Sequence, residues 1–181
     1  MNILPAFTTG QLHLLVADHP HTRNVLFDLA AALAMRGPLR VLDCGNLFNV
    51  YPVAQAVRRH TPDVQLVLER IFVSRAFTCY QVGAMLFQSA ALSAPLLVLD
   101  LLASFQDESV QLNERQRLLA ACLPHLQRLS RSAPVLITAR SAAAGMLEMV
   151  AEVADQVWTE DALALSPLQP ALLPPGLFGE P

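Results

Sequence analysis

The chain has 181 residues, a length that predicts one domain able to bury a core without disulfides or structural metals. Charged residues make up only 15% of it, against about 25% in an average soluble domain, so we expect an apolar contact with another subunit. The net charge of −3 argues against wholesale nucleic-acid binding, because a basic domain is the usual electrostatic footprint of that function.

The predicted elements alternate between strands and helices. Strands are short apolar runs bounded by turn residues, and helices carry apolar residues at helical spacing. In chain order they are strand 12–17, polar loop 18–24, helix 25–36, strand 39–43, helix 51–60, strand 71–77, helix 78–94, strand 92–100, helix 114–131, strand 133–139, helix 141–153, and closing strands 155–160 and 162–166. This alternation predicts an α/β core over residues 1–165, a three-layer sandwich with a mostly parallel central sheet.

The most apolar run, residues 92–105, carries a single acid, Asp100. The run is too short to cross a bilayer, which needs roughly 20 apolar residues, and it is typical of a strand buried on both faces of a parallel sheet. A carboxylate at the C-terminal end of such a strand lies where open α/β sheets bind ligands. The alternative is that Asp100 caps the following helix or meets solvent.

The long helix 114–131 is predicted to face the core with one stripe of residues: Leu112, Leu119, Cys122, Leu123, Leu126 and Leu129. Pro124 should kink this helix on its solvent side, because the proline ring displaces the bond to the carbonyl of Ala120. Residues 166–181 form a separate Pro/Leu-rich tail, too rich in proline for regular structure and too apolar for a solvated linker. The tail either lies on its own domain or docks on another subunit.

The cysteines lie in apolar or helical stretches without a metal-type spacing, so we interpret them as buried hydrophobic residues: Cys44, Cys79 and Cys122. Their odd number suits a reducing compartment. Two histidines flank Pro20, but no further ligand follows at zinc-site spacing, and we expect no metal. The N-terminus lacks the pattern of a secretory signal, which favours a cytoplasmic location, or a nuclear one in a eukaryote.

Several segments, in order, resemble the core of the RecA/RadA-type recombinases, especially the archaeal RadA branch and its eukaryotic paralogues. FTTGQLHLLVAD resembles the approach to the first strand of that family, and VLDCGNLF resembles its second strand and turn, usually written DTEGTF. SRAFTCYQ is similar to ARAFNxDHQ, and LLVLDLLASF to the Walker B strand, whose aspartate helps to hold magnesium. Residues 112–140 resemble the helix beginning LxxRQ and the strand ending TNQ.

The resemblance fails at the residues that bind the triphosphate. The two P-loop glycines of GxxxxGK[ST] fall on Ala17 and Thr22, and glycine supplies backbone geometry that other residues adopt only at a cost. Pro20 removes one N–H from a loop that presents N–H groups to phosphate. Arg23 replaces the lysine with a broader planar group, and Asn24 replaces the hydroxyl that ligates magnesium.

The other ATP-handling positions are also altered. The catalytic glutamate of the family falls on Gly45, so no general base is expected there, and its sensor glutamine falls on Arg140. Only Asp100 persists. The resemblance therefore implies a recombinase fold without ATPase activity, with no catalytic residues and no cofactor. The alternative is that a helix N-terminus at residues 23–25 can still hold some anion.

The DNA-binding loops of the family are reduced as well. The loop before the LxxRQ helix is acidic here, and the loop after the TNQ strand is short. Arginines on predicted solvent faces remain as candidates for weak DNA contact: Arg58, Arg59, Arg115, Arg117, Arg128 and Arg131.

Three functions stay open. The first is a non-catalytic recombinase paralogue that serves as a structural partner in recombination and repair, bound to a recombinase, to another paralogue or to itself. The second is a protein that still binds nucleotide weakly through a rebuilt loop, and the third is a pseudo-ATPase adaptor outside DNA metabolism, since a fold alone does not fix function. None of these predicts a membrane contact.

Overall fold

The computed structural model describes residues 7–17, 20–140 and 145–159. Within these ranges the chain alternates between strands and helices, as the sequence predicts. In chain order the elements are β1 Leu12–Val16, α1 Pro20–Arg36, β2 Leu39–Asp43, α2 Val50–Arg58, α3 Val64–Leu68, β3 Ile71–Arg75, α4 Cys79–Gln88, β4 Leu96–Leu99, a 3-10 helix Leu101–Phe105, α5 Leu112–Ser130, β5 Val135–Ala139, α6 Met146–Val153 and β6 Gln156–Thr159.

The described strands form one parallel sheet in the order β3-β2-β4-β5-β1-β6. Two buried clusters lie on its opposite faces, one under α1, α2 and α3 and the other under α4, α5 and α6. Helices on both faces of a parallel sheet explain why β1, β4 and β5 are apolar along nearly their whole length. The α/β class is confirmed, and the arrangement is compatible with a three-layer sandwich.

The apolar run 92–105 is a strand only at its centre. β4 covers Leu96–Leu99, and Asp100 then adopts a left-handed backbone conformation with φ of 50°. A positive φ cannot continue a strand, so the chain turns into the 3-10 helix Leu101–Phe105, which is buried beneath α4. Asp100 therefore marks a sharp bend at the carboxyl end of β4.

Other boundaries differ from the sequence prediction for identifiable reasons. α1 begins at Pro20, inside the predicted polar loop, because the fixed φ of proline suits the first turn of a helix. α4 ends at Gln88 rather than at residue 94, and Arg40 and Arg128 donate to the carbonyls of Ala90 and Ser89 in the segment that follows. The short helix α3 was not predicted.

The core confirms most of the predicted burial. The inward stripe of α5 is buried except for Leu112, which is 42% exposed at the first turn, and Pro124 faces solvent. The three cysteines are free and buried, and burial raises the pKa of Cys122 to about 11, so its thiol stays protonated at neutral pH. No helix in the described ranges is long and apolar enough to cross a membrane.

Several predictions fall on residues outside the described ranges. These are the end of strand 155–160, strand 162–166, the beginning of helix 141–153, the domain boundary at residue 165 and the Pro/Leu-rich tail 166–181.

Candidate functional site

The candidate site lies at the carboxyl ends of β4, β5 and β1, which are neighbours in the sheet. β1 leads into α1 on one face, whereas β4 leads into α5 on the other, so the chain leaves adjacent parts of the sheet in opposite directions. Such a switch point opens a crevice where α/β sheets bind ligands. The crevice is a small cavity lined by Ala17, Thr22, Arg23, Leu26, Leu47, Asp100, Thr138, Ala139 and Arg140.

This lining brings together most of the residues predicted from the sequence. Ala17, Thr22, Arg23, Asp100 and Arg140 all line the cavity. The register explains their meeting, since the last residue of β1 is paired with the last residue of β5 and β5 separates β1 from β4. Two predicted residues do not line it. Asn24 is exposed on α1. Gly45 lies against the side chain of Asp100 rather than in the cavity lining.

Asp100 and Arg140 form an ion pair across the site. An Arg140 guanidinium nitrogen (Nη2) lies 2.7 Å from Asp100 Oδ2, with the Asp100 side chain 2% exposed and that of Arg140 48% exposed. Neither carboxylate oxygen has a well-aligned hydrogen bond among the described residues, so the contact is chiefly one of charge. The backbone N–H of Asp100 donates to Thr138 Oγ1 at 2.8 Å, which holds the left-handed bend in place. Arg140 thus supplies the positive charge beside a carboxylate that the family resemblance assigns to magnesium.

Gly45 leaves no space for a side chain. A Cβ atom at residue 45 would lie 2.7 Å from both Cβ and Oδ2 of Asp100, much closer than packed atoms approach. A glutamate at this position therefore requires Asp100 or the turn at residue 45 to move. The position of Asp100 thus depends on residue 45 being glycine.

Part of the segment that the resemblance aligns with the P-loop, residues 20–24, lies in α1. Because α1 begins at Pro20, residues 24 and 25 are already inside it, and the N–H of Asn24 is bonded back along the helix. The helix N-terminus expected at residues 23–25 is therefore misplaced, and weak anion binding at the start of this helix stays a prediction. The first turn lies earlier, where Pro20 has no N–H to offer.

The cavity between the described residues of the site is small. Its volume is about 40 Å³. Ligand pockets usually measure about 300–1,000 Å³, whereas one water molecule takes up roughly 30 Å³ of liquid. The cavity between the described lining residues is therefore of the size of one or a few water molecules.

The chain matches no protein-family model and no curated protein. The chemistry of the site is therefore inferred from the geometry of its own residues.

A second buried acid, Asp43, was not singled out from the sequence. It ends β2, next to β4, and is fully buried. Asp43 Oδ1 accepts from the N–H of Leu47 at 2.9 Å, and Oδ2 accepts from the N–H of Phe48 at 3.0 Å and from Arg75 Nε at 3.3 Å. These bonds fold the turn that carries Gly45. Asp43 could have been found from the sequence, because it is an acid that ends an apolar strand and precedes a glycine-containing turn.

The candidate DNA-contact arginines do not form one surface. Arg58 and Arg59 lie at the end of α2 on one face of the sheet, and the other four belong to α5 or its C-terminal end on the opposite face. Arg59 pairs with Asp28. The three arginines within α5 bind protein acceptors: Arg115 binds the Phe105 carbonyl, Arg117 binds Glu114 and Arg128 binds the Ser89 carbonyl. Weak DNA contact by single arginines stays a prediction.

Metal ligands are not grouped in the described ranges. No set of three or more His, Cys, Asp or Glu side chains among residues 7–17, 20–140 and 145–159 is placed to hold a metal ion.

Proposed function

We propose that this protein is a non-catalytic RecA/RadA-like subunit, a pseudo-ATPase that acts as a structural partner in DNA recombination and repair. The observation that carries the proposal is the Asp100–Arg140 ion pair, which lies at the strand ends where the resembling family binds nucleotide. A buried carboxylate with an internal cation no longer needs magnesium to balance its charge.

The absence of activity is supported by the chemical groups around the cavity. Its described charged side chains are Asp100, Arg23 and Arg140, and Gly45 offers no carboxylate to activate water. Phosphoryl transfer depends on positioning the phosphates and stabilising their charge, which requires a P-loop and a metal ion. The α1 helix that begins at Pro20 occupies the part of the chain that would form the P-loop.

A role as a protein partner is supported by the free edge of the sheet at β3. This strand pairs only with β2 among the described strands and is exposed along most of its length. Phe72 and Phe77, in or just after this strand, are 60% and 67% exposed. An apolar edge strand without lysine, proline or a bulge favours pairing with another chain. The low charge content of the whole sequence also favours contact with another chain.

The experiment is affinity purification of the full chain from its native cells, with the captured proteins identified by mass spectrometry. We expect a recombinase, a recombinase paralogue or a DNA-processing enzyme, and we expect Phe72→Ser/Phe77→Ser to lose it. Leu112→Ser, a matched exposed residue at the start of α5, should retain it. Specific capture of partners unrelated to DNA, sensitive to the same double substitution, would instead establish the adaptor outside DNA metabolism.

A further inference from the structure

A cavity of about 280 Å³ lies between the sheet and the end of α4, and we call it the α4 cavity. Two rows of neighbouring residues on β2, β3 and β4 line it from the sheet. In the first row Arg40 has Phe72 and Leu96 as its register partners, and in the second row Leu42 has Ser74. The lining residues from α4 and the position after it are Met85, Leu86, Gln88 and Ser89.

The charge beside the α4 cavity has no counter-charge in the described part of the chain. Arg40 donates to the carbonyls of Ala90 and Ala94 at 2.9 and 3.4 Å, and Arg128 donates to the Ser89 carbonyl at 2.9 Å. Neither half-buried arginine is paired with an acid among the described residues. Burial, and then the positive charge of Arg128, lower the pKa of Arg40 below its usual value, although its guanidinium stays protonated. Two uncompensated positive charges favour an anion here.

Arg40 also keeps donors available for a ligand. A guanidinium carries five N–H donors, and Arg40 uses one on each Nη nitrogen for the two carbonyls. Its Nε is buried and has no hydrogen-bond partner among the described residues. The planar fork of a guanidinium matches a carboxylate, which accepts two N–H groups at once. A carboxylate would therefore satisfy both the charge and the donors of Arg40.

We propose that the α4 cavity binds a small monocarboxylate, whose carboxylate pairs with Arg40 and whose hydrocarbon part packs against Phe72, Met85 and Leu86. A small pocket that combines apolar walls with a few polar groups is typical of a ligand site. At roughly 30 Å³ for each heavy atom, the cavity holds a ligand of about nine heavy atoms. Phosphate fits less well, because it brings a larger charge against an apolar lining.

This site is separate from the crevice that holds Asp100. Arg40, Phe72 and Leu96 lie in the amino-terminal halves of their strands, whereas Asp100 follows the carboxyl end of β4. The assignment therefore goes beyond the proposed role as a structural partner and does not depend on it.

The test is an NMR titration of the nitrogen-15-labelled full chain with sodium hexanoate, whose size fits the cavity. We expect saturable shifts of the backbone amides that line the α4 cavity, with a Kd below about 5 mM. Hexanol and hexylamine, which have the same hydrocarbon chain without the negative charge, should bind at least tenfold more weakly. Failure of hexanoate to give saturable shifts, or equal binding of hexanol, would overturn the proposal.

Two further probes establish which anion the site takes. Inorganic phosphate and an Ala-Glu-Ala peptide blocked at both ends should each bind more weakly than hexanoate. Tighter binding of phosphate would make this a phosphate site, and tighter binding of the peptide would make its ligand an acidic side chain of another protein. Either result contradicts the assignment to a small monocarboxylate.

Three variants locate the binding. Arg40→Met removes the charge and keeps an apolar chain, so hexanoate should bind at least tenfold more weakly. Because Arg40 also anchors the segment after α4, Ser74→Phe gives a second test that keeps both arginines. Ser74 is exposed on the edge strand, and a phenylalanine ring there should fill the cavity and abolish the shifts. Arg58→Met, an exposed control on the opposite face, should bind hexanoate like the parent. Unchanged binding in Ser74→Phe would place hexanoate elsewhere and overturn the proposal.

Discussion

Two buried acids end neighbouring strands of the sheet, and they are held in different ways. Asp43 at the end of β2 accepts hydrogen bonds from two backbone N–H groups and from Arg75. Asp100, after β4, has one charged neighbour, Arg140, and no well-aligned hydrogen bond among the described residues. The comparison teaches that Asp43 holds its turn through directed hydrogen bonds, whereas Asp100 is held chiefly by the charge of Arg140.

The largest expected effect tests the first half of the comparison. Asp43→Ala should lower the free energy of unfolding by about 3 kcal/mol, because it leaves two N–H groups and part of Arg75 without acceptors in a buried turn. Urea denaturation measures the loss. Asp63→Ala, at an exposed position whose side chain caps nothing, should cost far less. A loss below about 1 kcal/mol for Asp43→Ala would remove its structural role.

His13 sharpens the comparison with a buried polar side chain that has no hydrogen-bond partner among the described residues. Both of its ring nitrogens lack hydrogen bonds among the described residues, its ring stacks on Trp158, and burial lowers its pKa to about 4. Below about pH 6.5 the His13 imidazole therefore takes up a proton in the unfolded chain but stays neutral in the folded chain until about pH 4. As the pH falls from 6.5 to 4, the free energy of unfolding of the parent should decrease. This decrease should be about 3 kcal/mol larger than the decrease in His13→Phe.

The measurement is urea denaturation of both proteins over that pH range. At pH 7, His13→Phe should be as stable as the parent or slightly more stable, because it removes two unsatisfied nitrogens from the core. Parallel pH profiles of the two proteins would contradict this account.

Gly45→Ala tests how tightly the turn and Asp100 are coupled. The added Cβ would lie 2.7 Å from Asp100, so we expect a loss of about 2 kcal/mol. Asp100→Gly should relieve the contact, and the double variant should be more stable than the sum of the two single effects predicts. If the losses of stability in this double-mutant cycle were additive, residues 45 and 100 would not be in steric contact in Gly45→Ala.

The smallest effect belongs to the ion pair itself. Arg140→Ala should cost about 1 kcal/mol, since the half-exposed guanidinium is screened by water even though Asp100 is buried. Arg131→Ala, an exposed control on the other side of the molecule from the site, should change stability by less than about 0.5 kcal/mol. A loss from Arg140→Ala as large as that from Asp43→Ala would erase the contrast between the two acids.

The sequence predicts what depends on local patterning. β2 has the predicted bounds because LRVLD is an apolar run closed by an acid and preceded by Gly37-Pro38. Every described strand overlaps a predicted one, since buried parallel strands are short apolar runs. The convergence of residues near Ala17, Asp100 and Arg140 could also be predicted, because strands of a parallel sheet end at one edge.

What the sequence did not reveal depends on three-dimensional contact or on backbone conformation. Pro20 is typical of loops and of first helical turns alike, so the early start of α1 could not be assigned from composition. The left-handed conformation of Asp100 is unusual for a non-glycine residue. The end of β4 at Leu99 could therefore not be predicted from the sequence. The distance between Arg140 and Asp100 depends on strand register across a long sequence separation, as do the bonds of Arg75 to Asp43.

Titration calorimetry of the full chain with ATP and magnesium tests the central claim most directly. Since an ion pair and a small cavity occupy the strand ends, we predict no binding heat up to millimolar nucleotide, with the parent and Asp100→Asn giving the same flat trace. Binding with a Kd below about 100 µM, at one site per chain and lost in Asp100→Asn, would contradict the account.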